Sequence, residues 1–149
     1  MPQNEKSLRS HCPVNFVLEV IGDKWSLLII RDIIFRGKKS YGDFLKSEEG
    51  FATNILAARL LLLETEGILV KEVSTEDARK IFYVLTEKGL DLVPMIFEMI
   101  LWSSKYDPKS EAKRITKFIE MVKKDNRKIS QKIILKLRRG EAMFPEYLD

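Results

Sequence analysis

The chain has one cysteine, Cys12, and one histidine, His11, among its 149 residues. A lone cysteine excludes an internal disulfide and any zinc site built on clustered thiolates, and a lone histidine excludes a histidine metal cluster. Long hydrophobic runs are missing as well. No apolar stretch approaches the roughly 20 residues that a membrane-spanning helix needs, and the opening MPQNEKSLRS has no apolar segment of a secretion signal. The expectation is a cytoplasmic protein with no membrane partner. The signatures of common catalytic sites are also missing: there is no P-loop, no glycine-rich dinucleotide turn and no nucleophile elbow. His11 beside Cys12 has no acidic residue at a spacing that would orient it. Neither an enzyme nor a cofactor is expected.

What is present is the composition of a globular domain, 45% hydrophobic residues in a chain about one domain long. The formal net charge of +4 suggests an acidic partner. The charge is unevenly spread, because residues 107–149 hold 12 Lys or Arg against 7 Asp or Glu, a net +5 that leaves the remainder close to neutral. A more local feature is IFRGKKSYG, residues 34–42, where Arg36, Lys38 and Lys39 sit together with no acid. Such a cluster is either a solvated turn or a phosphate contact.

Along the chain, Pro13 suits the first position of a helix whose apolar residues Val14, Val17, Leu18 and Ile21 run until Gly22. A second helix starts at Asp23 as cap and carries Trp25, Leu28, Ile29 and Ile33 before Gly37 closes it. Ser40 and Asp43 form a short version of the capping box. A helix over residues 52–65 then places Leu56, Leu60 and Leu63 within roughly 60° of one another, a core stripe, with Asn54, Ala58, Leu61 and Leu62 pointing elsewhere. After Gly67, ILVKEVS and RKIFYVLT flank the polar loop TEDA and read as a two-stranded hairpin. A long helix is expected from Thr86 as cap, with Pro94 either tolerated early or kinking it.

Helices, a tight turn, another helix and a hairpin make a winged helix-turn-helix, an α+β fold that is mostly helical. The residues also carry a family resemblance. CPV at the N-terminus, GDKWSLLIIRD, RGKKSYGDF, ATNILAARL with LETEGIL, RKIFYVLTEKG and ILWSSKYDP stand in the order and spacing of that pattern. Over about residues 12–108 the chain resembles the HxlR-type winged helix-turn-helix transcription regulators of the MarR-like superfamily. The corresponding division is a DNA-binding domain at 1–108 and a C-terminal helical extension at 109–149, a candidate dimerisation element.

The resemblance implies a sequence-specific regulator that binds double-stranded DNA as a homodimer, with additional N- and C-terminal helices for dimerisation. Two recognition helices about 34–36 Å apart would read an inverted repeat. The helix at residues 52–65 resembles the recognition helix, presenting Thr53, Asn54, Ala57, Ala58 and Arg59 to bases and phosphates; Asn pairs with adenine and alanine meets a thymine methyl. The alternative for Thr53 and Asn54 is helix capping, and for Arg59 bracing of the helix. Lys38, Lys39, Ser40 and Tyr41 are placed at a helix start, where backbone N–H groups favour an anion, with Arg36 beside them. Arg79 and Lys80 fall near the wing tip.

Two departures from the pattern stand out. Leu61 and Leu62 replace residues that are commonly polar, implying deeper burial or another apolar contact, and Glu76 and Asp77 in the wing loop should repel phosphate.

Candidate dimer surfaces are the first helix, the face of Met95, Met99 and Trp102, and the tail, where Ile115, Phe118, Val122, Ile129 and Ile133 keep a roughly heptad spacing interrupted at 123–128. Those tail residues await either a partner helix or the helix's own domain. The basic end, Lys136, Arg138 and Arg139, is expected to offset the helix's carbonyl end. Some HxlR-type regulators sense oxidants or electrophiles through an N-terminal cysteine, which makes Cys12 a candidate sensor and an oxidant or small molecule a candidate effector; the alternative is a small apolar residue in the core. A winged helix used for protein contact, without sequence-specific DNA binding, is the rival reading of the whole chain, and the basic residues around Lys38, Arg79 and Lys80 argue against it.

Overall fold

The computed structural model describes residues 7–143. Pro13 stands in the first turn of α1 (Pro13–Ile21), where its missing N–H costs nothing, and Gly22 ends the helix by donating to the Leu18 carbonyl oxygen. Asp23 then starts α2 (Ser26–Arg36): the N–H groups of Trp25 and Ser26 donate to its carboxylate at 2.8 and 2.9 Å. Gly37, at φ 62°, closes α2 in the left-handed region that a side chain would disfavour. The Ser40 and Asp43 capping box is formed at the start of α3 (Tyr41–Leu45).

α4 (Thr53–Thr65) buries Leu56, Leu60 and Leu63, as the helical wheel predicts. Each leucine contributes about 1.5–3 kcal/mol by leaving water. The antiparallel strands β1 (Leu69–Val73) and β2 (Ile81–Leu85) follow, with Leu69 opposite Leu85 and Val73 opposite Ile81. The Tyr83 N–H donates to the Lys39 carbonyl oxygen at 2.7 Å, so the segment ahead of α3 lies along the edge of β2. Phe44 is buried beside Tyr83. These elements form a winged helix-turn-helix in a mostly helical α+β chain.

The long helix expected from Thr86 is two helices, α5 (Glu87–Leu90) and α6 (Val93–Tyr106). Pro94 accounts for the break. It has no N–H for the Leu90 carbonyl and its ring would crowd that carbonyl, so it is accommodated only in the first turn of a new helix.

A 3-10 turn over Glu111–Arg114 leads into α7 (Thr116–Arg138), which kinks at Asp125. The Asp125 carboxylate accepts the Lys128 N–H at 3.0 Å and so restarts the helix, while the Asn126 amide donates to the Pro94 carbonyl oxygen at 3.0 Å and to Glu98 at 2.7 Å. The polar stretch that interrupts the heptad spacing is therefore a bend pinned to α6. Phe118, Val122, Ile129 and Ile133 are buried in the chain's own core, with the Phe118 ring 5.0 Å from Phe97 and 6.2 Å from Phe35. The partner-helix reading of this stripe is corrected accordingly: these side chains are already covered. The division after residue 108 falls between α6 and the 3-10 turn, and side chains from both sides of it share one core cluster. The outer ends of the two segments, residues 1–6 and 144–149, lie outside the described residues.

Candidate nucleic-acid interface

Because the leucines of α4 take its inner face, Thr53, Asn54, Ala57 and Ala58 are left exposed on the other. Two contacts fix the start of the helix. The Phe51 ring lies 5.5 Å from Trp25, and the Tyr41 hydroxyl donates to the Thr53 carbonyl oxygen at 3.2 Å. The N-cap position belongs to Ala52, which has no side-chain acceptor, so neither Thr53 nor Asn54 caps α4. Its positive end is left uncapped. Leu61 shares this outer face and is 63% exposed, which corrects the reading that it is more deeply buried; Leu62 is half-buried.

Arg59 is half-buried, and its Nε lies 3.4 Å from Oδ1 of Asp23, the residue that also starts α2. Burial would raise the Asp23 pKa, but the Ser26 hydroxyl and N–H, the Trp25 N–H and the Arg59 charge together hold its carboxyl below the ordinary range. Arg59 thus ties α4 to α2.

The capping box at α3 has a consequence for anion binding. The N–H groups of Lys39 and Ser40, expected to face an anion, each donate to the Asp43 carboxylate at 3.1 Å. Burial opposes ionisation of Asp43, yet those N–H bonds and the Ser40 hydroxyl keep its carboxyl below the ordinary range. The positive groups left at this strip are the side chains. The Lys39 ammonium sits 5.6 Å from the Phe82 ring centroid, and the Lys38 ammonium donates to the Asp43 carbonyl oxygen at 3.1 Å, where its charge also helps to hold the Asp43 carboxyl down.

Arg36 is engaged elsewhere. Its guanidinium lies 3.6 Å from Asp32 and 3.8 Å from Glu48, so the acid-free grouping of Arg36 with the two lysines does not hold in three dimensions. Helical periodicity is the reason: Arg36 falls one turn after Asp32 within α2, whereas Lys38 and Lys39 lie beyond the left-handed turn at Gly37. Asp32 itself is fully buried and also takes the Arg31 guanidinium, which bonds Glu49 at 2.7 Å.

At the wing tip Arg79 and Lys80 are exposed. The Arg79 guanidinium donates to the Asp77 carboxylate at 3.2 and 3.4 Å, and this holds the Asp77 carboxyl below its ordinary range. Of the two wing acids, Asp77 is thereby offset by its neighbour, while Glu76 is exposed.

Cys12 is exposed just ahead of α1, and the N–H groups of Asn15 and Val14 hold its thiol below the ordinary range. The alternative of a buried apolar residue is corrected. Among the described residues no cluster of His, Cys, Asp and Glu is poised to hold a metal, and no helix is long and apolar enough to cross a membrane.

The candidate dimer surfaces differ in what they offer. Val14, Phe16 and Leu18 of α1 are exposed, but Ile21 is in the core and drops out of that face. Met99 and Trp102 are exposed beside an open groove of about 1440 Å³ between α2, α6 and the 3-10 turn that follows α6, a groove that Leu27, Leu28 and Met95 also line. Neither the exposure of Phe16 nor the part of α2 in the groove is visible in the sequence.

Residues 20–111, which take in α2 to α6, the strip and the wing, match the HxlR-like helix-turn-helix family. The chain belongs to that family. Among the relatives of this HxlR-like protein is the HTH-type transcriptional regulator sll1512 of Synechocystis sp., itself uncharacterized, at 34% identity over 59% of this chain and 64% of that one. The chain therefore spans a little under two thirds of that relative. Among solved structures, PA1607, a proposed transcription factor, is 42% identical with a TM-score of 0.61, covering 68% of this chain and 71% of that one. The redox regulator HypR in its reduced form is 33% identical with a TM-score of 0.58, covering 65% and 95%. The relatives and the fold of this HxlR-like chain are those of transcriptional regulators, not of enzymes.

Proposed function

We infer that the protein regulates transcription in the cytoplasm by binding an inverted-repeat operator as a homodimer, with α4 in the major groove. The observation that carries this reading is the outer face of α4, where Thr53, Asn54, Ala57 and Ala58 stand clear of the core while Tyr41 holds the helix start beside the basic strip. Asn54 would read a base edge and the alanines would meet thymine methyls. Lys38, Lys39, Ser40 and Tyr41 would set the register on the phosphate backbone, and Arg79 and Lys80 would do so from the wing. Arg59 acts through Asp23 as the brace of α4, and Arg36 through Asp32 and Glu48 as a brace of the loop ahead of it.

Dimerisation is supported by exposed apolar side chains on α1 and α6. The exposed α1 residues Val14 and Leu18 of one copy would pack into the groove beside Met99 and Trp102 of another. Selection of bound sequences from a random duplex pool tests the reading. An enriched inverted repeat, bound with steep salt dependence, supports it; the absence of any enriched motif would favour a winged helix used for protein contact.

Cys12 is the proposed point of control. Its exposed, acidified thiol would add to the activated double bond of an electrophile, forming a C–S bond while a proton passes to the neighbouring carbon. Loss of operator binding on treatment with an electrophilic quinone, abolished in Cys12→Ser, is the expected result; equal loss in both proteins would exclude Cys12.

A further inference from the structure

The end of α7 lies outside the span shared with the family, and the residues that follow it pack onto the end of α2. Gly140, at φ 75°, closes the helix, and the Glu141 N–H reaches back to the Lys136 carbonyl oxygen at 3.0 Å. The chain then turns toward α2. A Cβ placed on Gly37 would stand 3.1 Å from the methyl of Ala142, and the N–H of the buried Met143 donates to the Ile34 carbonyl oxygen at 3.1 Å. Gly37 immediately precedes Lys38, so these contacts dock the end of α7 beside the lysine pair.

Between them lies a recess of about 350 Å³ lined by Lys38, Lys39, Phe82, Arg138 and Arg139, with Glu72 and Glu141 as its acids. The four cations are not equivalent. Arg138 is committed to Glu87 through two bonds of 2.9 and 2.7 Å. Lys38 lies against Asp43, whereas Lys39 and Arg139 are exposed, Arg139 at the C-terminal cap of α7, with no carboxylate within ion-pair distance of either among the described residues. Arg139 thus shares one recess with Lys38 and Lys39.

We propose that Arg139 is a further DNA-backbone contact, extending the phosphate-binding strip of Lys38 and Lys39 from the base of the wing onto the C-terminal helix. The inference rests on the reading of α4 and the lysine strip as a DNA interface. Duplex DNA is the fitting partner because its phosphates recur along a continuous line, and a guanidinium fork matches a phosphate in two parallel bonds. A role confined to offsetting the carbonyl end of α7 would need no such line.

The test is the dependence of binding on salt, measured by fluorescence anisotropy with the full chain and a labelled duplex long enough for two half-sites. Removing one cation from a phosphate lowers the slope of log K against log salt by about 0.9. Arg139→Gln should lower the slope by about 0.9 per protomer and weaken binding to specific and random duplexes alike. Arg139→Lys should keep the slope, and the thermal melt of both variants should match the parent. An unchanged slope in Arg139→Gln, with a lowered slope in the Lys38→Ala, Lys39→Ala double variant, overturns the inference while leaving the DNA interface intact. Absence of salt-dependent binding by the parent chain overturns both.

Discussion

The Tyr41 hydroxyl donates to the carbonyl oxygen of Thr53, the first residue of α4, and so links the start of α3 to the start of α4. Tyr41→Phe removes only that oxygen. The expected outcome is a loss of about 0.5–1.5 kcal/mol in stability, the worth of one hydrogen bond, with operator affinity falling more than affinity for random DNA. Competition titrations on the two duplexes decide this, and equal loss on both would show that the bond does not orient α4.

Leu60 and Leu61 are neighbours with opposite fates, 1% and 63% exposed. Leu60→Ala should cost about 2–5 kcal/mol in a denaturant titration, the range for a buried leucine. Leu61→Ala should stay within about 0.5 kcal/mol of the parent. Reversed magnitudes would mean that α4 is rotated about its axis.

Much of this arrangement is legible in the sequence because its signals are local. Pro13, Gly22, Gly37 and the Ser40–Asp43 box mark helix ends through the chemistry of one or two residues, and the stripe of Leu56, Leu60 and Leu63 follows from helical periodicity. The pairing of Arg59 with Asp23 is illegible, since the two residues meet only when α4 crosses the start of α2. The partner of the α7 stripe is ambiguous for a similar reason. A heptad-like row of apolar residues specifies that something covers it, not what, and Phe35 and Phe97 are distant in the chain. The engagement of Arg36 escapes a reading confined to residues 34–42, although Asp32 one turn earlier carries a signal for it; Glu48 comes from a separate loop.

Phe118 is buried against Phe97 and Phe35. Phe118→Ala should therefore destabilise the whole protein by about 3–5 kcal/mol, in a single cooperative transition. Calorimetry showing two transitions, with the first alone displaced, would mean that α7 unfolds separately from the winged helix.

Asp23 and Asp43 are both held below the ordinary aspartate range. As pH falls the unfolded chain takes up their protons first, so the stability they contribute is complete above the unfolded value of about 3.9 and is lost as pH drops through the lower folded values. Asp23→Asn should lower stability at neutral pH and flatten the acid limb of the profile. An acid limb as steep as the parent's would show that Asp23 gains nothing from Arg59 and the N–H groups around it.

Trp102 is 68% exposed at the edge of the groove, and Leu18 is 58% exposed on α1. The proposed homodimer predicts that the parent sediments as a dimer and that Trp102→Glu and Leu18→Glu each shift it to monomer in sedimentation velocity, since either places a charge in the proposed apolar contact. Two variants that remain dimeric would locate the interface elsewhere.

The division of labour between Asn54 and the lysine pair is tested most directly by titrating the selected operator and a scrambled duplex across a salt series. Asn54→Ala should cost about 1–3 kcal/mol on the operator and nothing on the scrambled duplex, with the salt slope unchanged. The Lys38→Ala, Lys39→Ala variant should weaken both duplexes equally and lower the slope by up to about 2 units per protomer. Loss of equal size on both duplexes for Asn54→Ala, with no change in slope for the lysine variant, would contradict the claim that the outer face of α4 reads sequence while the strip before it holds the backbone.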